Sequence, residues 1–372
     1  MAKRQKMSSY QLNDLPNEVI LKLFGFMDIK ELLLCGQVSK RLRAIANDES
    51  LWLKLNLCGR KVPYDFIEKA AENGCQYLSL VFCGIIGLTG KSESFFNLKY
   101  LNMSRGCYQS GQGLLKLIKN CSSLQKLSLA YMRMDSSDIQ DICQNGQTLQ
   151  VLDLEGSTIN LRNQKEVLQD LFSSCEHLTE LNIQGLNSKA MSSQHFDGIA
   201  QEFLIQILVD KLTSTILKVN LDGQKVLSDK HVKKLVKRCN KITHLSVRCT
   251  LITNDSMQSI SKHLNTSLEK LDVSKTKVDC AALLELKYIP TLKTLIYYCN
   301  DGAGDCENLK QQLCQISINE EQKLHIANPE EKVNKIDIDS FWEIRAKQQD
   351  LFSGSFSKNF TVSARLKRRK LR

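Results

Sequence analysis

A chain of 372 residues, 42% hydrophobic and 24% charged, is long enough to bury a sizeable core. It shows neither a signal peptide nor an apolar run long enough to cross a membrane, so we expect no secretion and no membrane partner. Its formal net charge is +11, and two terminal clusters without acids supply most of it: Lys3, Arg4, Lys6, Arg365, Lys367, Arg368, Arg369, Lys370 and Arg372. Because the body of the chain carries little net charge, we expect no specific nucleic-acid binding.

The C-terminal basic run from Lys367 to Lys370 has two interpretations. It is typical of a nuclear import signal, and it equally fits a solvated tail that no receptor binds. We expect the protein in the nucleus and the cytoplasm.

The 14 cysteines follow neither a disulfide nor a metal-binding pattern. There is no CxxC motif, and Cys121, Cys175 and Cys239 each stand three positions before the leading apolar residue of a repeated pattern. This regularity predicts buried packing thiols in a reducing compartment, and we expect no metal and no cofactor.

The first organised stretch, residues 12–57, is predicted to form three short helices. Apolar residues at helical spacing and the position of Pro16 predict a helix over 16–27, with Asp14 as its cap. Asp28 can start a second helix, which Gly36 is expected to end before a third over 38–46. Helices this small cannot bury all their apolar surface among themselves, so the remainder indicates a docking surface.

From Trp52 onward the pattern apolar-x-x-apolar-x-apolar recurs about eleven times, mostly at the period of about 20 to 29 residues that leucine-rich repeats have. Only the step from Leu178 to Ile216 is longer. The predicted units are Trp52/Leu55/Leu57, Cys75/Leu78/Leu80, Leu98/Leu101/Met103, Leu124/Leu127/Leu129, Leu149/Leu152/Leu154, Leu178/Leu181/Ile183, Ile216/Val219/Leu221, Ile242/Leu245/Val247, Leu268/Leu271/Val273, Leu292/Leu295/Tyr297 and Leu313/Ile316/Ile318.

Each unit lays down one short parallel strand and returns through a helix, so neighbouring units stack around one continuous core. The predicted fold class is an α/β solenoid, a leucine-rich-repeat sickle with concave parallel strands and convex helices, preceded by the small three-helix module. The long step at 185–215 holds either an extended return helix or a functional loop on the rim. The predicted regions are a disordered basic N-terminus (1–10), the helical module (11–51), the repeats (52–318), a tail folding back on the repeats (319–347) and a disordered basic tail (348–372).

No catalytic pattern is found in the sequence. Gly84-Ile85-Ile86-Gly87 lacks the Lys-Ser/Thr of a phosphate-binding loop, and there is no HExxH motif, so we expect a binding protein rather than an enzyme.

Residues that alternate with the inward ones of each strand face the concave side, where aligned positions form columns. Late repeats contribute cations to these columns and early repeats contribute acids, namely Lys218, His244, Arg248 and Lys270 against Asp153, Glu155 and Glu180. This predicts a bipolar concave face whose cationic part suits an acidic or phosphorylated peptide.

Several motifs of the helical module occur together: Leu15-Pro16-Asn17-Glu18, a Leu-rich second helix, Val38-Ser39-Lys40-Arg41 and Asp48-Glu49-Ser50-Leu51-Trp52. The module resembles an F-box, which binds the small adaptor of cullin-based ubiquitin ligases, although Leu42 stands where an aromatic residue often occurs. The resemblance implies a non-catalytic receptor bound to S-phase kinase-associated protein 1 and through it to a cullin. The implied adaptor contacts are Leu15, Pro16, Glu18, Ile20, Leu23, Leu32, Leu33, Val38, Lys40 and Trp52. The alternative is a helical cap on a scaffold or inhibitor without a ligase role.

Further phrases lie later in the chain: Leu283-Leu284-Glu285-Leu286, Ile289 to Leu295, and Pro329 preceding Trp342-Glu343-Ile344. They resemble one branch of the F-box/leucine-rich-repeat family. That branch captures phosphorylated cell-cycle proteins, such as cyclin-dependent-kinase inhibitors, for ubiquitination and proteasomal degradation, together with a small cyclin-dependent-kinase regulatory subunit. The resemblance implies Lys225 and Asp255 as contacts of this accessory subunit and Trp342 as a tail contact. Gly185 departs from the branch, which has an aromatic residue there.

Overall fold

The structure is a computed structural model that describes residues 14–87, 96–106, 116–159, 165–187, 198–298 and 306–320, with 324, 326 and 327. Its first part is a helical module with α1 (Asn17–Phe24), α2 (Ile29–Val38), α3 (Lys40–Ala46) and α4 (Glu49–Trp52). Side chains that accept backbone N–H groups cap three of these helices: Asp28 at α2, Ser39 at α3 and Asp48 at α4. The caps explain why such short helices begin where they do.

Two details predicted for the helical module are wrong. Asp14 does not cap α1, which follows Pro16 without any side-chain cap. Gly36 does not end α2, which continues to Val38. Gly36 is buried against α3, where a Cβ atom would lie 3.5 Å from Ala46 Cβ. That distance is an ordinary van der Waals contact, so Gly36 packs at the contact of α2 with α3 and does not break α2.

Beyond α4 the described chain alternates strands with helices. The strands are β1 (Lys54–Asn56), β2 (Lys61–Pro63), β3 (Tyr77–Ser79), β4 (Gly84–Ile86), β5 (Tyr100–Asn102), β6 (Lys126–Ser128), β7 (Arg133–Met134), β8 (Val151–Asp153), β9 (Thr158–Ile159), β10 (Glu180–Asn182), β11 (Lys218–Asn220), β12 (His244–Ser246), β13 (Lys270–Asp272), β14 (Thr294–Ile296) and β15 (Ser317–Ile318). The helices are α5 (Tyr64–Glu72), α6 (Lys116–Lys119), α7 (Ser136–Gln144), α8 (Lys165–Ser174), α9 (Gly198–Lys211), α10 (Asp229–Arg238), α11 (Asn254–His263), α12 (Cys280–Leu283) and α13 (Cys306–Gln312).

Eleven of the described strands form one parallel sheet in chain order, while β2 pairs with β4 and β7 with β9. The middle residue of each sheet strand points into a continuous core that the helices close, as Leu101, Leu127 and Leu245 illustrate. The predicted α/β solenoid of leucine-rich repeats is confirmed. Cys121, Cys175 and Cys239 are buried in this core, and desolvation raises the pKa of each thiol to about 12, 12 and 11.

The last predicted repeat is shifted by two residues. The sequence pattern made Ile316 the inward strand residue, but Leu295 of β14 aligns with Ile318 of β15. Ile316 is also buried, just before the strand begins. Spacing alone cannot choose between two apolar residues of the same parity, because both point to the same face of a strand.

The chain leaves most sheet strands through a residue with left-handed backbone conformation, which we call the exit position. Its N–H donates to the carbonyl of the next repeat, as Arg105 N–H does to Ala130 O at 2.9 Å. The described exit positions are Gly59, Phe82, Arg105, Tyr131, Gly156, Gly185, Gly223, Cys249 and Lys275, with φ from 55° to 73°. This position is sterically open to glycine and disfavoured for bulky residues.

The helical module and the first repeats share one packed junction at Trp52. The Trp52 side chain is fully buried in the core of the repeats, and its ring centroid lies 5.9 Å from that of Phe66 in α5. Its Nε1–H donates to the Ala46 carbonyl of α3 at 2.7 Å. Ile29 and Leu51 pack against both the core of the module and the core of the repeats. No flexible linker separates the two parts.

The long step of the repeat contains α9, whose 14 residues make it the longest helix of the described chain. It packs between α8 and α10, and Leu204, Ile205, Leu208 and Val209 are completely buried. The extended return helix accounts for residues 198–211. The alternative of a functional loop on the rim concerns 188–197, which lie outside the described residues.

Candidate functional site

The helical module has a surface of exposed large apolar side chains on α1, α2 and the turn between them. The exposed fraction is 89% for Phe26, 75% for Val38 and 54% for Leu34. Val19, Leu23 and Met27 are exposed as well. Scattered apolar residues are normal on a protein surface, but this many in one small module indicates a surface that a partner covers. We call these six side chains the apolar surface of the module.

The structure separates the predicted adaptor contacts into two groups. Pro16, Glu18, Leu23, Val38 and Lys40 are exposed and Leu15 and Leu33 half-buried, so all seven can reach a partner. Ile20, Leu32 and Trp52 are at most 3% exposed. Their side chains form the inside of the module and its junction with the repeats, and direct contact of these three with an adaptor stays a prediction.

An arginine connects the two ends of the predicted contact region. Arg41 in α3 donates from Nη2 to the Leu15 carbonyl at 2.6 Å and from Nε to Asn17 Oδ1 at 2.9 Å. This fixes the turn before α1 against α3. The motif at Leu15 and the motif at Arg41 therefore form one structural unit.

Sequence reasoning did not name Val19, Phe26, Met27 and Leu34 as candidate contact residues, although all four are exposed. The signal was present, because α1 and α2 contain more apolar residues than one buried helix face can hold. What the sequence did not show is which of them would be left outside.

The predicted column of first strand residues on the concave face is confirmed by the register of the sheet. It runs through Tyr100, Lys126, Val151, Glu180, Lys218, His244, Lys270 and Thr294. Adjacent members lie about 4.8 Å apart along the hydrogen-bonding direction. Lys218, His244 and Lys270 are thus immediate neighbours. Burial, with added repulsion from the two lysines, lowers the pKa of His244 below its usual value.

The predicted bipolar charge of this face is only partly correct. At the boundary, Lys218 Nζ and Glu180 Oε1 form an ion pair at 3.0 Å, so the two charges compensate each other. Asp153 is buried, which raises the pKa of its carboxyl to about 7. Burial likewise raises the pKa of Asp222, in the late repeats, to about 7. The early repeats of the concave face therefore carry less negative charge than their residue types indicate.

The remaining predicted contacts lie away from that column. Arg248 follows β12, and its N–H donates to Asp222 Oδ1 at 2.8 Å. Lys225 is exposed in the segment that connects β11 to α10, and Asp255 is exposed in the first turn of α11. Lys225 and Asp255 therefore do not belong to the concave column that contains Lys218 and Lys270. Trp342 lies outside the described residues.

Three residues of the tail contact the concave face. Leu324, Ile326 and Ala327 form a small buried cluster with Val151 of β8 and Ile296 of β14. The Ala327 N–H donates to Glu180 Oε2 at 3.1 Å. The ion pair of Glu180 and the tail therefore meet on the concave side of the sheet.

In the part of the chain that the structure describes, no cluster of His, Cys, Asp or Glu could hold a metal ion. Nor does any described helix have the length and apolar character needed to cross a bilayer.

The fold and the two surfaces define the chain as an F-box/leucine-rich-repeat protein. An F-box-like family model matches residues 12–58, and a family described as "SKP2 LRR domain" matches residues 66–349. Because the second match covers most of the chain, the protein belongs to the SKP2 leucine-rich-repeat family.

Two individual proteins show more limited similarity. The chain is 41% identical over 54 residues to F-box protein dre-1 of Caenorhabditis elegans, which is 14% of this chain and 6% of that protein. The chain thus matches only a small part of that relative's length. A crystal structure of a TLR13–ssRNA13 complex aligns with 67% of this chain and 39% of its own, at a TM-score of 0.36 and 16% identity, a likeness too remote to bear on function.

Proposed function

We propose that this protein is the substrate receptor of an SCF-type ubiquitin ligase, in which an adaptor, a cullin and an F-box protein assemble. The observation that supports it best is the apolar surface of the module, with Phe26, Leu34 and Val38 more than half exposed. A surface of this kind is stabilised when a partner removes it from water. The partner is S-phase kinase-associated protein 1, and through it a cullin.

In this proposal the receptor positions the substrate for the reaction. The fused junction at Trp52 keeps the apolar surface and the repeats in one body. A substrate held on the repeats would therefore have its lysines beside the charged conjugating enzyme. Such placement raises the effective concentration of the reacting amine and leaves the chemistry to the other subunits.

The substrates we propose are phosphorylated cell-cycle proteins, such as cyclin-dependent-kinase inhibitors, which would be degraded by the proteasome. The cationic residues Arg248 and Lys270 of the concave face support an acidic or phosphorylated ligand. A small cyclin-dependent-kinase regulatory subunit would act as accessory at Lys225 and Asp255. The place of action would be the nucleus and the cytoplasm.

Co-purification with the adaptor tests the proposal. Leu34→Asp or Val38→Asp puts a charge into the apolar surface, and we expect at least a thirtyfold loss of adaptor affinity, about 2 kcal/mol. Ile86→Asp is the matched control, because Ile86 of β4 has the same exposed fraction as Leu34, 54%. Unchanged adaptor binding by folded Leu34→Asp and Val38→Asp proteins would overturn the proposal.

A further inference from the structure

Three consecutive early repeats place bulky side chains at the exit position, where glycine is favoured. Phe82, Arg105 and Tyr131 have φ angles of 56°, 56° and 60°. Left-handed conformation is a genuine outlier for bulky residues, and such residues concentrate at functional sites. The next exit position is Gly156, where a Cβ atom would lie 2.5 Å from Tyr131 Cε1. The glycine thus makes room for the tyrosine ring.

The three side chains form a stack with arginine in the centre. The guanidinium carbon of Arg105 lies 4.2 Å from the ring centroid of Tyr131 and 5.5 Å from that of Phe82. Cation–π contacts of this kind attract the guanidinium to the faces of the two rings. Arg105 also forms a side-chain hydrogen bond with Tyr131, and its guanidinium carries five N–H donors in all. We call Phe82, Arg105, Tyr131 and Glu155 the Arg105 stack.

Glu155 holds the tyrosine rather than neutralising the arginine. Its Oε1 accepts the Tyr131 O–H at 2.6 Å, and its Oε2 accepts the Asn182 Nδ2–H at 3.3 Å. Burial and Glu155 raise the pKa of Tyr131 to about 12, so the ring stays a neutral phenol. None of the ion pairs within the described residues involves Arg105, which is exposed.

We propose that the Arg105 stack is an anion-binding subsite that holds an acidic side chain of the protein substrate. Arg105 is exposed while two aromatic rings and the Tyr131 hydroxyl hold its guanidinium in place, and a guanidinium fork suits the two oxygens of a carboxylate or a phosphoryl group. The ligand group is an oxyanion from Asp, Glu or a phosphorylated residue. This subsite rests on the proposed receptor function and extends it to the early repeats, away from the cations of β11 to β13.

The test uses the full chain co-purified with the adaptor and three fluorescein-labelled Gly/Ser peptides, which contain three Glu, three phosphoserines or three Gln. Fluorescence anisotropy measures Kd at low salt. We expect both acidic peptides to bind more tightly than the Gln peptide, and the tighter of the two identifies the oxyanion. Arg105→Gln should weaken the acidic peptides about tenfold, and Arg105→Lys should not restore them, because lysine lacks the planar fork.

Lys275→Gln is the matched control, since Lys275 is also a cation at an exit position. It should change Kd less than about twofold, as expected for an exposed charge outside the site. Equal effects of Arg105→Gln and Lys275→Gln, or no preference for the acidic peptides, would overturn the subsite. So would tighter binding of an oligouridylate, because aromatic side chains beside cations also bind single-stranded nucleic acid. Adaptor co-purification is read separately, so failure of the receptor function is distinguished from failure of the subsite.

Discussion

The helical module and the repeats treat their apolar side chains in opposite ways. The module leaves Phe26, Leu34 and Val38 largely exposed, whereas the described part of the repeats buries most of its large apolar side chains. Both parts nevertheless meet in one core at Trp52. The exposed apolar side chains of the module therefore lie outside the core that the two parts share. In the proposed function the module binds an apolar partner and the concave face of the repeats binds a charged one.

Replacing the residue that joins the two regions should have the largest effect. Trp52→Ala removes a fully buried side chain and leaves the Ala46 carbonyl without its donor. We expect a loss of about 3 to 5 kcal/mol in the free energy of unfolding, measured by urea denaturation. Trp52→Phe keeps an aromatic ring and should cost less. A loss below about 1 kcal/mol for Trp52→Ala would show that the regions are not coupled.

Phe26→Ser tests whether the apolar surface serves binding alone. Because 89% of Phe26 is exposed, the free energy of unfolding should change by less than about 0.5 kcal/mol. The affinity for the adaptor should fall by about 2 kcal/mol, measured by calorimetry. Tyr288→Ser, at 63% exposure in the repeats, is the control and should leave adaptor affinity unchanged. A large loss of stability in Phe26→Ser would contradict the division between the regions.

Asp153→Asn tests a buried polar residue of the repeats. The pKa of Asp153 is raised from 3.8 to about 7 in the folded protein, so the folded state binds the proton more tightly than the unfolded state. Its stabilising effect is complete below about pH 4 and is lost as the pH rises through 7. Asparagine cannot ionise, so the variant should gain about 1 to 2 kcal/mol relative to wild type between pH 5 and pH 8.

Thermal unfolding at several pH values measures this effect. Glu176→Gln, which changes an exposed carboxylate, is the control. The opposite slope, with Asp153→Asn gaining less as the pH rises, would refute a protonated Asp153.

Lys270→Gln should have the smallest of these effects. It removes one cation from the column on the concave face, and an acidic peptide should bind about fivefold more weakly, about 1 kcal/mol. The difference should shrink at high salt. Lys233→Gln, an exposed lysine of α10 on the helical side, is the control. Equal weakening by both variants would mean that the concave face does not select the peptide.

The sequence was sufficient to predict the architecture, because every repeat carries the same apolar pattern. An alignment error in one repeat does not change the alignment of the next. The concave column through Lys218, His244 and Lys270 could therefore be aligned without coordinates. Ile316 and Ile318 were confused because both fit the same side of a strand. Gly36 was misread because the sequence does not distinguish a glycine that ends a helix from one that lies inside a helix at a packed contact.

The site could be predicted only in part for a related reason. Residue type gives the formal charge of Asp153 and Glu180, but not the burial of the first or the lysine paired with the second. The Arg105 stack was missed because its members are 23 to 26 residues apart and no local pattern connects them. Its members come together only when successive repeats stack in the folded protein.

Because the module and the repeats share one core at Trp52, the number of repeats sets the distance between the module and the late strands. Strands of a sheet are spaced about 4.8 Å apart, and no linker absorbs a change in their count. Deleting one whole repeat between β5 and β10 would move the cations of β11 to β13 one strand spacing closer to the apolar surface of the module. The distance between the apolar surface of the module and the cations of the late strands therefore changes by whole repeats and not by single residues.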